Sequence, residues 1–109
     1  MNLFKGKIKC LNCGKNYNYK NDNSVAIYIC SGYKNYGSKY CQRNIVHEDD
    51  LIKLVQLHYQ LDTKKYDKNS VLLKEYIQEN INKIEVDGDK ITIFYKDEIS
   101  EWDKRNLLI

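Results

Sequence analysis

Four cysteines are the residues best placed to do chemistry. Their order is Cys10-x2-Cys13, sixteen residues, Cys30, ten residues, Cys41, and all four fall in the first 41 of 109 positions. Two residues between Cys10 and Cys13 let both sulfurs face one ion. Gly14, directly after, suits the left-handed turn that closes such a knuckle. Four thiolates match Zn²⁺, which takes four ligands tetrahedrally. Three other readings compete. Two disulfides would need an oxidising compartment. A redox Cys-x-x-Cys would need a βαβ setting and would leave Cys30 and Cys41 idle. Unconnected buried thiols would leave the clustering without a cause. One zinc accounts for all four residues. With four protein ligands no coordination position remains for an activated water, so the expected site is structural.

No other constellation points to catalysis. His47 stands six residues after Cys41 beside three acids, which suits a helix entry better than a ligand. His58 falls on an apolar helix face and reads as a packing residue. Asp49/Asp50 and Asp97/Glu98 are adjacent acids, and acids at a helix start are ordinarily dipole partners. Gly6, Gly14, Gly32, Gly37 and Gly88 fit no nucleotide-binding fingerprint.

Charge divides the chain. Met1 to His47 holds eight Lys or Arg against one acid, Asp22, whereas Glu48 to Ile109 holds ten basic and fourteen acidic residues. Six of the ten tyrosines lie in the basic part. A basic face studded with aromatics is the footprint of a nucleic-acid binder. The candidate contacts are Lys15, Tyr17, Tyr19, Lys20, Lys34, Tyr36, Lys39 and Arg43, with Tyr40 as a further phenol able to reach a phosphate. Sheet packing is the competing role for Tyr17, Tyr19 and Tyr28. Two alternatives remain open: a protein-interaction module using exposed Tyr and the acidic half, and a single-strand binder that stacks bases on Tyr.

Size and hydropathy limit the rest. The longest apolar run is Val25 to Cys30, far short of the roughly 20 residues that span a bilayer, and the mean hydropathy is -0.69. The N-terminus has no apolar core of a secretory signal. The expected location is cytoplasmic, in a bacterial or phage-encoded protein, with no membrane partner and no small-molecule substrate.

The elements that must position the cysteines follow from periodicity. Lys5 to Cys10, Tyr17 to Tyr19 and Val25 to Cys30 read as short strands, with Asn21 to Ser24 as turn chemistry. Ser31 to Tyr40 reads as a loop. Leu51, Leu54, Val55 and His58 recur at helical spacing, which predicts a helix over Asp49 to Leu61. Ser70 is a plausible N-cap for a second helix presenting Leu73, Ile77, Ile81 and Ile84. Lys83 to Val86 and Asp89 to Tyr95 flank Asp87-Gly88, a strong type I′ hairpin signal. Ile99, Trp102 and Leu107 are expected to dock a tail on the helices. The fold class is α+β: a small zinc β-ribbon of N-terminal strands, two helices and a C-terminal β-hairpin. One domain covers 1–109, with a ribbon at 1–47, helices at 48–82, a hairpin at 83–95 and a tail at 96–109. A front of some 45 residues cannot build a sufficient core, so the metal is expected to supply much of its folding energy.

Four segments in order resemble one family. Phe4 to Lys15 resembles the opening of the zinc β-ribbon domain of large serine recombinases, the site-specific integrases and transposases of phages and conjugative elements. Tyr28 to Tyr33 resembles its third-ligand segment, Cys41 with Asn44 to Leu51 its fourth ligand and following helix, and Ile84 to Ile93 its late hairpin. The resemblance implies Cys10, Cys13, Cys30 and Cys41 as ligands of one structural zinc. It also implies sequence-selective binding of attachment-site duplex DNA without catalysis, and the remaining recombinase domains as partners. The catalytic domain with its nucleophilic Ser would lie elsewhere, so the chain is expected to be an excised domain or a truncated reading frame. Relatives carry a long coiled coil where only Gln60 to Asn69 joins the two helices here, so self-association through one is not expected.

Overall fold

The computed structural model describes residues 2–42 and 44–106. Arg43 and Leu107, both singled out by sequence, lie outside the described residues. Elements follow in the order β1 (Ile8–Cys10), β2 (Tyr17–Asp22), β3 (Val25–Cys30), α1 (Ser31–Tyr36), β4 (Ile45–His47), α2 (Glu48–Tyr59), α3 (Val71–Asn80), β5 (Ile81–Asp87), β6 (Lys90–Tyr95) and β7 (Ile99–Asp103), then a 3-10 turn over Lys104–Asn106. They form two sheets, one of order β2-β3-β4 and one of order β1-β5-β6-β7. No helix among the described residues is long and apolar enough to cross a membrane.

The second sheet joins the two ends of the sequence. β1 runs parallel to β5, with Ile8 opposite Ile84 and Cys10 opposite Val86. β6 pairs antiparallel with β5, placing Ile93 opposite Ile84 and Ile91 opposite Val86. Period-two alternation puts these side chains on one face and Lys9, Glu85 and Thr92 on the other. The inward residues share one core cluster with Leu51, Leu54 and Val55 of α2 and Leu73 and Ile77 of α3. Leu3, Phe4, Tyr28 and Val46 belong to that cluster too. The cysteine-bearing front therefore does not rely on metal alone, because its apolar residues are buried against the back half. Each fully buried Leu, Ile or Phe adds about 1.5–3 kcal/mol.

A buried acid holds the front to α2. Glu48 is 2% exposed and starts that helix, where free backbone N–H groups favour negative charge. Its carboxylate accepts from the Tyr28 hydroxyl at 2.6 Å and from the Leu3 backbone N–H at 3.1 Å. Tyr28 in turn accepts from the Phe4 N–H at 3.0 Å. The three acids at the helix start were legible in the sequence. The burial of the first was not, because it depends on Tyr28 arriving from β3.

Four local expectations change. The segment after Cys30 is not all loop: Ser31–Tyr36 is helical, and Gly37, at φ +85°, ends it. Ser70 does cap α3, accepting from the Leu72 N–H at 3.1 Å, but that helix stops at Asn80, and Ile81 and Ile84 belong to β5. Their four- and three-residue spacings continue the helical rhythm by coincidence, while the β-branched run they open pairs with β6. The hairpin turns at Gly88-Asp89 between Asp87 and Lys90. Only Gly88 has positive φ there, the pattern of a II′ rather than a I′ turn. Both central residues of the β2–β3 turn, Asn23 and Ser24, are left-handed, at φ 51° and 67°. Two of the apolar residues expected to dock the tail on the helices, Ile99 and Trp102, do not; the tail meets α2 through Asp97 and Glu98 instead. Ile99 and Trp102 lie in β7, paired with Phe94 and Ile91 of β6, and both are exposed.

Candidate metal centre and its surroundings

Local folding brings the cysteines together in two pairs. Cys10 ends β1, and the chain turns back so that the Gly14 N–H donates to the Cys10 carbonyl and the Cys10 N–H to the Lys15 carbonyl, each at 2.8 Å. Gly14 takes φ +76° in that turn. Cys30 ends β3 beside Tyr17 of β2. Helix α1 and a tight turn then carry the chain out and return Cys41, whose N–H reaches the Gly37 carbonyl at 3.3 Å. The ten-residue excursion thus closes without displacing the fourth sulfur.

The four sulfurs lie within 4.8 Å of one another. Cys10 to Cys41 and Cys30 to Cys41 are 3.7 Å, and Cys13 to Cys30 is 3.4 Å. No pair is a disulfide. Four sulfurs about 2.3 Å from one tetrahedral zinc would stand about 3.8 Å apart, so the cluster fits that ion. Burial pushes the Cys30 thiol up to about 12. A bound cation would take the sulfur lone pair and displace that proton to solvent, offsetting the burial.

The surroundings support the sulfurs. Asn12 donates its amide to the Cys41 sulfur at 3.2 Å, the kind of contact that orients a ligating thiolate. Tyr17 is buried at the cluster, and its hydroxyl makes no well-formed hydrogen bond. Burial first, then negative charge on Cys10, Cys30 and Cys41, raises its pKa. A β-carbon on Gly32 would meet the Cys13 sulfur at 2.8 Å. Sequence reasoning passed over Asn12 and Gly32, since neither residue type at those spacings announces a contact.

The expected nucleic-acid contacts separate into groups. Lys15, Lys20, Lys34, Tyr36 and Lys39 are exposed. The Lys15 ammonium sits 5.9 Å over the Tyr36 ring, and Tyr36 lies 5.0 Å from Tyr40. These three make one basic and aromatic surface, with Lys15 from the turn after Cys13 and both tyrosines from the α1 excursion. Lys20 stands on β2 instead, opposite Ile27. Tyr17, at 5% exposure, offers no surface to a ligand; its side chain packs inward from β2. Tyr19 is half-buried, edge-on to Tyr28 at 5.6 Å. Sheet packing claims both of these phenols.

The histidines lie outside the sulfur cluster. His47 is exposed and is the residue from which α2 begins. His58 stacks flat on Tyr95 at 3.7 Å. Its two ring nitrogens face Asp97 at 3.3 Å and Glu98 at 3.2 Å. That pair of adjacent acids is a partner for a packed imidazole.

Comparisons with known proteins agree with this geometry. No protein of curated function matches the chain in sequence. A solved structure described as "Sequence Requirements of the Listeria innocua prophage attP site" has a similar fold, with a TM-score of 0.53 and 21% identity over 85% of this chain. The chain spans 42% of that longer chain. The model of the recombinase zinc beta ribbon domain matches residues 3–60, and these carry all four cysteines, both ribbon hairpin strands and α2. With more than half of its length matched in this way, the chain belongs to the recombinase zinc beta ribbon domain family.

Proposed function

We propose that this chain is the part of a site-specific serine recombinase that binds attachment-site duplex DNA, with Cys10, Cys13, Cys30 and Cys41 holding one structural zinc. In this reading residues 1–109 act as one domain, and the chain performs no chemistry. Family membership supports it, and a chain of like fold comes from a study of a prophage attP site. The observation that carries it is the exposed Lys15–Tyr36–Tyr40 surface beside the metal centre. Lysines there would neutralise phosphates and release counterions. Phenols would add hydrogen bonds to the backbone. Tyr36 and Tyr40 form a pair rather than an open row, which favours duplex over base-stacked single strand.

The test is binding to duplexes selected from a randomised pool, set against scrambled duplexes, across salt. Tighter binding of selected duplexes, with affinity falling as salt rises, is expected. Lys15→Ala should lower the salt slope by about 1. Binding that ignores salt would overturn the reading, and equal affinity for both duplexes would remove the sequence-selective part.

A second surface favours contact with another part of the recombinase. The end of α2 opens on a mainly apolar groove of about 530 Å³ lined by Leu57, Leu61 and the stem of Lys53. Leu57 is 66% exposed.

A further inference from the structure

The metal centre has two unlike sides. Cys13 and Cys30 face Gly32 and the Tyr40 ring, next to the basic surface described above. Cys10 and Cys41 face a shallow polar cleft of about 220 Å³ that also takes in Asn12, Gln42, Asn44 and Gly88. A second cleft of about 320 Å³ continues past Gln42, Asn44 and Gly88 to Lys104. Two pieces of chain far apart in sequence thus flank one polar surface.

Asn44 locks those pieces together. Its amide donates to the Gly88 carbonyl at 2.8 Å, and its oxygen accepts from the Lys104 ammonium. Lys104 also ties its backbone N–H to the Asp89 carbonyl at 2.7 Å. Gln42 follows Cys41 directly, so the sulfur cluster fixes one end of its segment and Asn44 the other. The Gln42 amide is exposed and has no hydrogen-bond partner among the described residues. Asn12 gives an amide N–H to Cys41, and its oxygen has no hydrogen-bond partner among the described residues. Uncommitted amides held on a rigid frame are suited to reading, because Asn and Gln engage the N6 and N7 edge of adenine with two hydrogen bonds. Asp87 precedes the turn and Asp89, within it, stands 3.9 Å from the Arg105 guanidinium, so acids and cations both border this side. Nucleic acid meeting the amides with a base edge would leave its backbone to the exposed lysines.

We infer that Gln42, with Asn12 beside it, is a specificity-determining residue that reads an adenine edge in the major groove of duplex DNA. The inference rests on the DNA-binding reading above and adds which side chain chooses sequence. Lysines of the α1 side then supply affinity, and amides of the hairpin side supply selectivity.

Selection from a randomised duplex pool tests it, using the full 109-residue chain, Gln42→Ala, Gln42→Glu and Lys15→Ala, each checked for zinc content. The native chain should enrich duplexes with one strongly preferred A·T pair. Gln42→Ala should lose that preference, weakening selected duplexes by roughly 5- to 150-fold and leaving scrambled duplexes unchanged. Gln42→Glu, which can only accept, should move the preference toward cytosine. Lys15→Ala should weaken all sequences alike. Identical enriched sequences from the native chain and both Gln42 variants, with salt-dependent binding retained, would overturn this inference alone. A uniform loss in Gln42→Ala would also overturn it, making Gln42 a phosphate contact. A native chain with no salt-dependent binding would overturn the DNA reading and this inference together.

Discussion

Gly32 and Cys13 are in contact with no space to spare: a β-carbon on Gly32 would lie 2.8 Å from the Cys13 sulfur and 2.9 Å from the Tyr40 ring. The short helix between the third and fourth cysteines can pass the metal centre only because this position lacks a side chain. The backbone there is ordinary helix, so the constraint is space and not φ.

Gly32→Ala is therefore expected to weaken zinc binding although alanine favours a helix by about 1 kcal/mol. Crowding a packed site typically costs about 1–3 kcal/mol, and here the atom that must move is a candidate ligand. Competition with a chromogenic chelator measures it. Unchanged zinc affinity would show that Cys13 can shift without loss.

Glu48 should matter well beyond its place at a helix start. Glu48→Ala leaves the buried Leu3 N–H without its acceptor, at about 1–3 kcal/mol, and leaves the Tyr28 hydroxyl only the Asn2 side-chain oxygen, at 3.0 Å, to donate to. Glu48→Gln should lose less, since an amide oxygen still accepts. Urea unfolding midpoints rank the variants, and a Glu48→Ala chain as stable as the native one would refute the role. A double-mutant cycle with Tyr28→Phe should show coupling, because the two groups share one bond.

Alkaline stability should depend on buried phenols. Burial is the first cause that raises Tyr17, Tyr28, Tyr59, Tyr76 and Tyr95, and Tyr59, which also donates to Asp97, is pushed up to about 12 from 10.0. A folded pKa above the unfolded value contributes stability that is complete below the unfolded pKa and is lost as pH rises through the folded one. The chain should thus lose stability above about pH 10. In a spectrophotometric titration these five phenols should ionise late, together with loss of circular dichroism. Ionisation of all ten tyrosines as one ordinary group, with the fold intact, would contradict this.

The β2–β3 turn offers a stabilising change. Ser24 holds φ 67° without being glycine, a conformation that costs an L-residue about 1–2 kcal/mol. Ser24→Gly removes that strain but loosens the unfolded chain, leaving a net gain of about 0.5–1 kcal/mol. A rise in melting temperature checks it, and a fall would mean that the Ser24 side chain holds the turn by other contacts.

The metal centre was legible because its signal is chemical type at fixed spacing. A Cys-x2-Cys turn followed by glycine needs little from the rest of the chain, and the later cysteines end or follow a recognisable strand. The strands of the ribbon, the start of α2 and the Ser70 cap were legible for the same reason, since propensity and capping act over a few residues. Helix α1 was hidden by Gly32 within it and Gly37 just after it, which lower helix propensity while meeting a packing and a termination requirement. The end of α3 was hidden because Ile77, Ile81 and Ile84 keep a helical spacing across a boundary that pairing with β6 decides.

By itself, then, the sequence determined the four candidate ligands, the charge division and most elements, because each rests on residue type and short-range order. Tertiary structure alone decided that β1 pairs with β5, so the front shares its core with the back. It also decided that Glu48 is buried, that Tyr17 packs against the sulfurs instead of facing solvent, and that Asn44 ties Gln42 to the Gly88 turn. These outcomes join residues distant along the chain, and only the burial and hydrogen bonding of the assembled fold select them.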